Sequence, residues 1–285
     1  MRLPDYLKRG IIDTDKTKTV RALLKKHSLY TICDSARCPN KAECYAQNTA
    51  SFLIMGNICT RNCRYCNVAT GKPLPLDGKE PEKLAETIKD LGLKYVVVTS
   101  VTRDDLPDGG ADHFAKTIKA IKQVSSDIKV EVLVPDFKGD KSAIDVVLEA
   151  KPDVFNHNIE VVPSLYKTAR PQGSFERAMD VLAYAKKTHP EIPTKTGMMI
   201  GLGETEEEIF DTLQKLVQID CDIVTIGQYM QPSKEHLEVK KYYKLEEYDY
   251  LTQKALEIGI KAPIFAPLVR SSYHASIAHE KVCGS

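Results

Sequence analysis

Ser51-Phe-Leu-Ile-Met55-Gly56, followed by Cys59-Thr-Arg-Asn-Cys63-Arg-Tyr-Cys66, is the stretch on which the reading of this chain turns. Its first half is a short apolar run stopped by a glycine, the pattern of a buried strand. Its second half is a C-x3-C-x2-C spacing on the loop that this strand feeds. Thiolates select iron–sulfur clusters, zinc or Cu(I). A structural zinc or an ordinary cubane takes four protein ligands, and this loop supplies three. A cubane held by three thiolates keeps one iron open to a small molecule or an unusual side chain.

Working outward, a second triad precedes the strand: Cys33-Asp-Ser-Ala-Arg-Cys38-Pro-Asn-Lys-Ala-Glu-Cys44, a C-x4-C-x5-C spacing. Pro39-Asn40 breaks regular structure, so these thiols are expected on a loop that can wrap a cluster. Six of the eight cysteines therefore crowd between Cys33 and Cys66. Residues 1–10 have no apolar signal-peptide core, and no run approaches the roughly 20 apolar residues of a membrane span. The expected location is the cytoplasm, where disulfides are rare, so the crowding points to metal, with iron–sulfur ahead of zinc. Cys221 and Cys283 fall outside both spacings and read as ordinary cysteines.

The composition of the 285 residues, 42% hydrophobic and 28% charged, is that of a globular protein. A net charge of +1 gives no reason to expect nucleic acid, and nothing points to a membrane.

Beyond residue 51 strand and helix patterns alternate. Strands are expected at 51–55, 95–99, 128–134, 154–160, 194–200 and 223–228, the last being final. Helices are expected at 82–91, 111–123, 141–150, 174–187 and 206–219, with another around 19–27. Tyr95-Val-Val-Val-Thr99 reads as a strand buried on both faces. Thr205-Glu-Glu-Glu208 matches a capping box. Such alternation means a parallel sheet with helices outside it, hence an α/β fold. Six units predict a partial (β/α)6 barrel, with an N-terminal cysteine-rich extension and a C-terminal extension. A doubly wound open sheet is the alternative. The expected division is residues 1–48 as arm, 49–232 as barrel and 233–285 as closing extension.

Sites in such folds lie at the carboxyl ends of strands. Asp108-Gly109-Gly110, Asn156-His-Asn158-Ile-Glu160, Gly201-Leu-Gly203-Glu204 and Gly227-Gln228-Tyr229 all fall there. Asn158 and Glu160, two apart on a strand, are expected to face the same side.

The Cys59/Cys63/Cys66 triad, with Tyr65 before its last cysteine, resembles the signature of the radical S-adenosylmethionine (SAM) superfamily. The upstream triad and Arg270-Ser271-Ser272-Tyr273 resemble the lipoyl synthase branch, across about residues 28 to 278. Ala266 before Pro267, where a glycine is usual, and the lack of a proline in 242–248 depart from that pattern.

The resemblance implies two 4Fe–4S clusters. Cys59, Cys63 and Cys66 would hold the one that cleaves SAM; Cys33, Cys38, Cys44 and Ser271 would hold a sacrificial sulfur donor, with Arg270 aiding release of the serine. It also implies SAM contacts from Tyr65, Asp108, Gly109, Gly110, Asn158, Glu160, Gly201 and Glu204. The implied reaction is insertion of sulfur at carbons 6 and 8 of an octanoyl-lysine, with two SAM consumed. Implied partners are an octanoylated lipoyl carrier domain or glycine-cleavage H protein, an external electron donor and an iron–sulfur assembly or carrier protein. The alternatives are another two-cluster radical SAM sulfur inserter, such as a biotin synthase-like enzyme, and a non-enzymatic metal-stapled module.

Overall fold

A computed structural model describes residues 3–8, 15–36, 38–46, 50–273 and 275–284. Parts of the expected N-terminal arm (residues 1, 2, 9–14, 37, 47 and 48) lie outside them. The chain divides into two compact units.

One unit comprises Arg9–Arg61 and Asn67–Phe155. It opens with helix α1 (Asp15–Lys26), strand β1 (Tyr30–Thr31) and two short helices, α2 (Ile32–Ser35) and α3 (Lys41–Ala46). Strand β2 (Ser51–Ile54) follows, then the small parallel pair β3 (Ile58–Cys59) and β4 (Ala69–Thr70). The regular alternation is α4 (Glu80–Asp90), β5 (Tyr95–Ser100), α5 (Ala111–Val124), β6 (Lys129–Leu133), α6 (Lys141–Glu149) and β7 (Val154–Asn156). The strands run in the order β1-β2-β5-β6-β7. β2 pairs with β5 (Ser51↔Val97) and β5 with β6 (Tyr95↔Lys129), both parallel. β1, which the sequence reading did not anticipate, runs antiparallel to β2. Val96, Val97 and Val98 are all buried, as a strand covered on both faces requires.

The other unit comprises Met1–Lys8, Asn62–Cys66 and Asn156–Ser285. After α7 (Tyr166–Ala169) come α8 (Phe175–Thr188), β8 (Thr194–Ile200), α9 (Glu206–Gln218) and β9 (Ile223–Gln228). Then α10 (Leu245–Ile258) leads to β10 (Ala262–Phe265), and α11 (Ala275–Cys283) follows. β8, β9 and β10 are parallel neighbours. The capping box at α9 is present: Thr205 N–H donates to Glu208 at 2.8 Å and Glu208 N–H to Thr205 Oγ1 at 3.2 Å. Ile209, Leu213 and Leu216 form its buried face. Each such side chain removed from water stabilises the fold by roughly 1.5–3 kcal/mol.

The α/β alternation stands, with three corrections. Strand 223–228 is not the last, because β10 pairs beside it. The expected strand 154–160 ends at Asn156; Glu160 turns into the left-handed region (φ 69°) and touches Met198 of β8 only through an isolated bridge. The first cysteine triad is not on an irregular loop. Cys33 lies in α2 and Cys44 in α3, because Thr31 caps the first through Asp34 N–H and Asn40 C=O accepts the Cys44 N–H at 2.9 Å. Pro39 falls between the two helices, where it interrupts neither.

Candidate active site

In the first unit, Cys33, Cys38 and Cys44 are drawn together by hydrogen bonds between near neighbours. Cys38 N–H donates to Cys33 C=O at 3.0 Å, which folds the turn back. The frame behind them is polar and local. Tyr45 O–H donates to Asp34 at 2.8 Å, Thr31 Oγ1 also reaches Asp34 at 2.8 Å, and Lys41 closes the other oxygen at 2.8 Å. Burial pushes the Cys33 thiol up to about 11, with Cys38 adding to it and hydrogen bonds from Ser51 opposing. Burial pushes Cys44 up to about 12, with Cys33 and then Cys38 adding. Among the described residues, no three His, Cys, Asp or Glu side chains stand as ligands of a single metal ion.

Cys59 ends β3, and its Sγ accepts from Arg61 N–H at 3.4 Å. Arg61 anchors the loop. Its buried guanidinium forks to Asp104 (2.7 and 2.9 Å) and to Asp136 (2.9 and 2.7 Å). Asn67, just past the triad, donates to Ser35 C=O of α2 at 2.9 Å. Asp108 caps α5: its carboxylate accepts from Gly110 N–H at 2.9 Å and Asp112 N–H at 2.8 Å.

In the second unit, Asn62–Cys66 is held by backbone and side-chain bonds on both flanks. Arg64 N–H donates to Ala169 C=O at 2.9 Å, and Leu237 N–H donates to Arg64 C=O at 3.1 Å. His236 Nε2 lies 3.0 Å from Cys66 C=O.

Tyr65 stands close enough to Glu160 to act on its carboxyl. Asn158 Nδ2 donates to Glu160 at 3.2 Å, and Ser271 O–H donates to Asn158 Oδ1 at 2.8 Å. Arg170 Nη1 donates to Asn158 C=O at 3.2 Å, while its buried Nε has no hydrogen-bond partner among the described residues. A polar line of hydrogen bonds therefore runs from Ser271 through Asn158 to Glu160, with Tyr65 beside its end.

Burial raises Glu160 above the ordinary carboxylate range, against the pull of Arg170, the bond from Asn158 and the nearby Tyr65. Burial, then Glu160, pushes the Tyr65 phenol well above its usual value. Burial alone would lower Arg170; the neighbouring Tyr65, Tyr166 and Glu160 outweigh it and hold the cation charged.

The line needs Gly197 in β8. A Cβ there would come within 2.5 Å of Ser271 Oγ and 2.8 Å of Asn158 Oδ1. Arg270 turns its Nη1 to Val269 C=O at 2.7 Å. Glu204 is taken up locally, accepting from Gly201 N–H (2.6 Å), Leu202 N–H (3.0 Å) and Tyr243 O–H (2.9 Å).

Of the sequence-expected residues, Tyr65, Asn158, Glu160 and Ser271 are thus brought together, and Cys33, Cys38 and Cys44 form a separate group. Asp108 and Glu204 each organise their own turn. Arg61, Arg170 and His236 were not foreseen. The one available signal was an arginine inside the cysteine motif, as Arg61 is.

The donor set suits iron–sulfur chemistry. Thiols kept protonated by burial gain from a cation that takes the thiolate. The Arg170 guanidinium places a buried positive charge beside half-buried Tyr65 and Glu160.

Comparison with known proteins agrees. Residues 53–216 match the Radical SAM superfamily. A lipoyl synthase of Caldanaerobacter subterraneus subsp. tengcongensis is 52% identical over 97% of both chains. One of Caldicellulosiruptor saccharolyticus is 51% identical over 95% of both, and lipoyl synthase 2 of Gloeobacter violaceus is 51% identical over 96% of this chain and 95% of its own. In fold alone the chain is similar to methylornithine synthase (TM-score 0.56, 17% identity, 98% of this chain and 82% of that one). It is likewise similar to Streptococcus suis SuiB bound to S-adenosylmethionine (TM-score 0.58, 14% identity, 80% and 53%). Two cysteine triads, a polar line that ends in the Ser271 motif and near-full-length relatives lead to one conclusion: the chain belongs to the lipoyl synthase family of radical SAM enzymes, which work with SAM and iron–sulfur clusters.

Proposed function

We propose that this chain inserts two sulfur atoms, at carbons 6 and 8, into an octanoyl chain held on a lysine of a lipoyl carrier domain or of the glycine-cleavage H protein. It would do so in the cytoplasm, with an external electron donor and an iron–sulfur assembly or carrier protein as further partners; no helix among the described residues is long and apolar enough to cross a membrane. Residues 1–48 serve as the arm bearing the auxiliary ligands, 49–232 as the radical SAM core and 233–285 as the extension that closes the site.

Two 4Fe–4S clusters fit the donors. Cys59, Cys63 and Cys66 hold one, and Cys33, Cys38, Cys44 and Ser271 hold the other. Tyr65, Asp108, Gly109, Gly110, Asn158, Glu160, Gly201 and Glu204 are the proposed SAM contacts. When bound, these groups supply a carbon-centred radical able to attack an unactivated C–H bond, and the sulfide that replaces the hydrogen.

The chain's own residues do the rest. Ser271 O–H donates to Asn158 Oδ1, and this bond fixes where the hydroxyl oxygen stands. As a cluster ligand Ser271 would bind weakly, which suits a group meant to let go, and Arg270, its neighbour in sequence, would supply positive charge. Arg170 and Asn158 set the height of Glu160 and Tyr65, which position the polar ligand.

The observation that carries this reading is Ser271. A residue from a late stretch of the chain is delivered to Asn158, 113 positions earlier, by a direct 2.8 Å bond. The test is mass spectrometry of an octanoyl-lysine peptide incubated anaerobically with the reconstituted protein, SAM and a reductant. A gain of two sulfurs is expected, and an octanoyl group left unchanged overturns the proposal.

A further inference from the structure

The junction between β2 and the cysteine loop carries an unusual residue. Met55 adopts a left-handed backbone (φ 65°), a conformation that a side chain other than glycine disfavours. It is clamped at both backbone groups. Glu80, the first residue of α4 and buried, accepts the Met55 N–H at 2.8 Å. Arg103, also buried and forked onto Asp105 at 2.9 and 2.8 Å, donates to Met55 C=O at 3.3 Å.

The same oxygen of Glu80 lies 2.7 Å from Nε2 of buried His113 in the first turn of α5. One carboxylate thereby ties together the end of β2 and the start of α5, two places far apart in sequence. Between them the Met55 side chain stands against Gly110, the N-cap of α5 (φ 94°). A methyl group at Gly110 would overlap Met55 Sδ. The turn Asp108–Gly110 is therefore seated on Met55, and Met55 is seated on Glu80.

A buried Glu–His pair has no advantage over an apolar pair as a source of stability, because desolvation opposes it. Its distinctive property is direction: it holds specific atoms at specific places. We propose that Glu80 is a positioning residue for SAM binding, setting the height of the Asp108–Gly110 turn through the clamped Met55. The inference rests on the reading that this turn receives the amino and carboxylate ends of SAM. Neither Glu80 nor Met55 is a proposed SAM contact.

The test uses anaerobically reconstituted full-length protein and measures the SAM dissociation constant by equilibrium binding, with iron content and thermal melting as controls. Glu80→Ala and Met55→Ala should each weaken SAM binding about tenfold at wild-type iron content, the scale of a small misplacement of a ligand-bearing turn. Glu80→Gln keeps an acceptor for the Met55 N–H and should stay within about threefold. Because both alanine changes cut one path, the double variant should lose about as much as the worse single variant, not the product of the two.

Wild-type SAM affinity in Glu80→Ala overturns the proposal, as does a double variant whose losses multiply. If Glu80→Ala fails to fold, Met55→Ala decides, since it leaves Glu80 bonded to the backbone of residue 55; unchanged affinity there is equally fatal. A wild-type protein that binds no SAM overturns the SAM reading and this inference together. One that binds SAM but makes no lipoyl group overturns the proposed reaction alone.

Discussion

The segment Thr31–Ala46 and the polar line of Tyr65, Asn158, Glu160 and Ser271 solve opposite problems. The first gathers three thiols within a dozen residues, and the side-chain bonds of Thr31, Asp34 and Tyr45 behind them are between near neighbours, with Ser51 and Asn67 as its longer-range supports. The second joins residues separated by as many as 113 positions, and its longest bond, Ser271 to Asn158, needs the room that Gly197 leaves in β8. A local frame tolerates change elsewhere in the chain; a long-range line fails if any one of its supports moves. The lesson is that the sulfur-rich group is built mainly from local bonds and the polar line depends on one of long reach.

Four substitutions sharpen that contrast, in descending size of effect. Cysteine loss should separate the two regions: Cys63→Ala, beside Tyr65, is expected to abolish SAM cleavage. Cys38→Ala should keep SAM cleavage and yield no thiolated product. Assays of deoxyadenosine and of thiolated peptide on the same samples check both. Normal deoxyadenosine from the first, or full lipoyl yield from the second, would erase the distinction.

Ser271→Ala comes next. It removes the last member of the line without touching the thiols, so sulfur insertion should slow by about ten- to a hundredfold while deoxyadenosine formation continues. Rapid-quench kinetics will show this, and equal rates would reduce Ser271 to packing. The smallest effect is expected from Tyr45→Phe. Thr31 and Asp34 remain bonded to each other, so the loss in stability should be about 1 kcal/mol by urea unfolding of the metal-free protein. A loss several times larger would mean that the Tyr45 hydroxyl supports more than its two neighbours Thr31 and Asp34.

Much of this was legible from the sequence, and the failures have physical causes. The β-branched run at 95–99 and the capping box at Thr205 name their structures because the forces involved act within a few residues. The cysteine spacings are local in the same sense. The two helical turns around Cys33 and Cys44 were hidden because Pro39-Asn40 reads as a breaker, although it only separates them.

Asn158 and Glu160 were expected to share a face by strand alternation. They do meet, but through a hydrogen bond beyond the end of β7 and after a left-handed turn at Glu160. Arg61 was passed over as a spacer between cysteines, since its partners Asp104 and Asp136 lie 43 and 75 positions away. No periodicity reports a bond of that reach. β10 was missed for a related reason: Ala262-Pro-Ile-Phe265 is short and contains a proline, and only its pairing with β9 makes it a strand.

Gly197 has a consequence for anyone who would engineer this protein. Replacing a mid-strand glycine with valine is an ordinary way to stiffen a sheet, because glycine weakens strands and a branched residue strengthens them. In β8 the added atoms would occupy the room now taken by Ser271, Asn158 and Thr225. A variant selected only for heat resistance would therefore push Ser271 off Asn158, giving up the proposed role of that serine for durability.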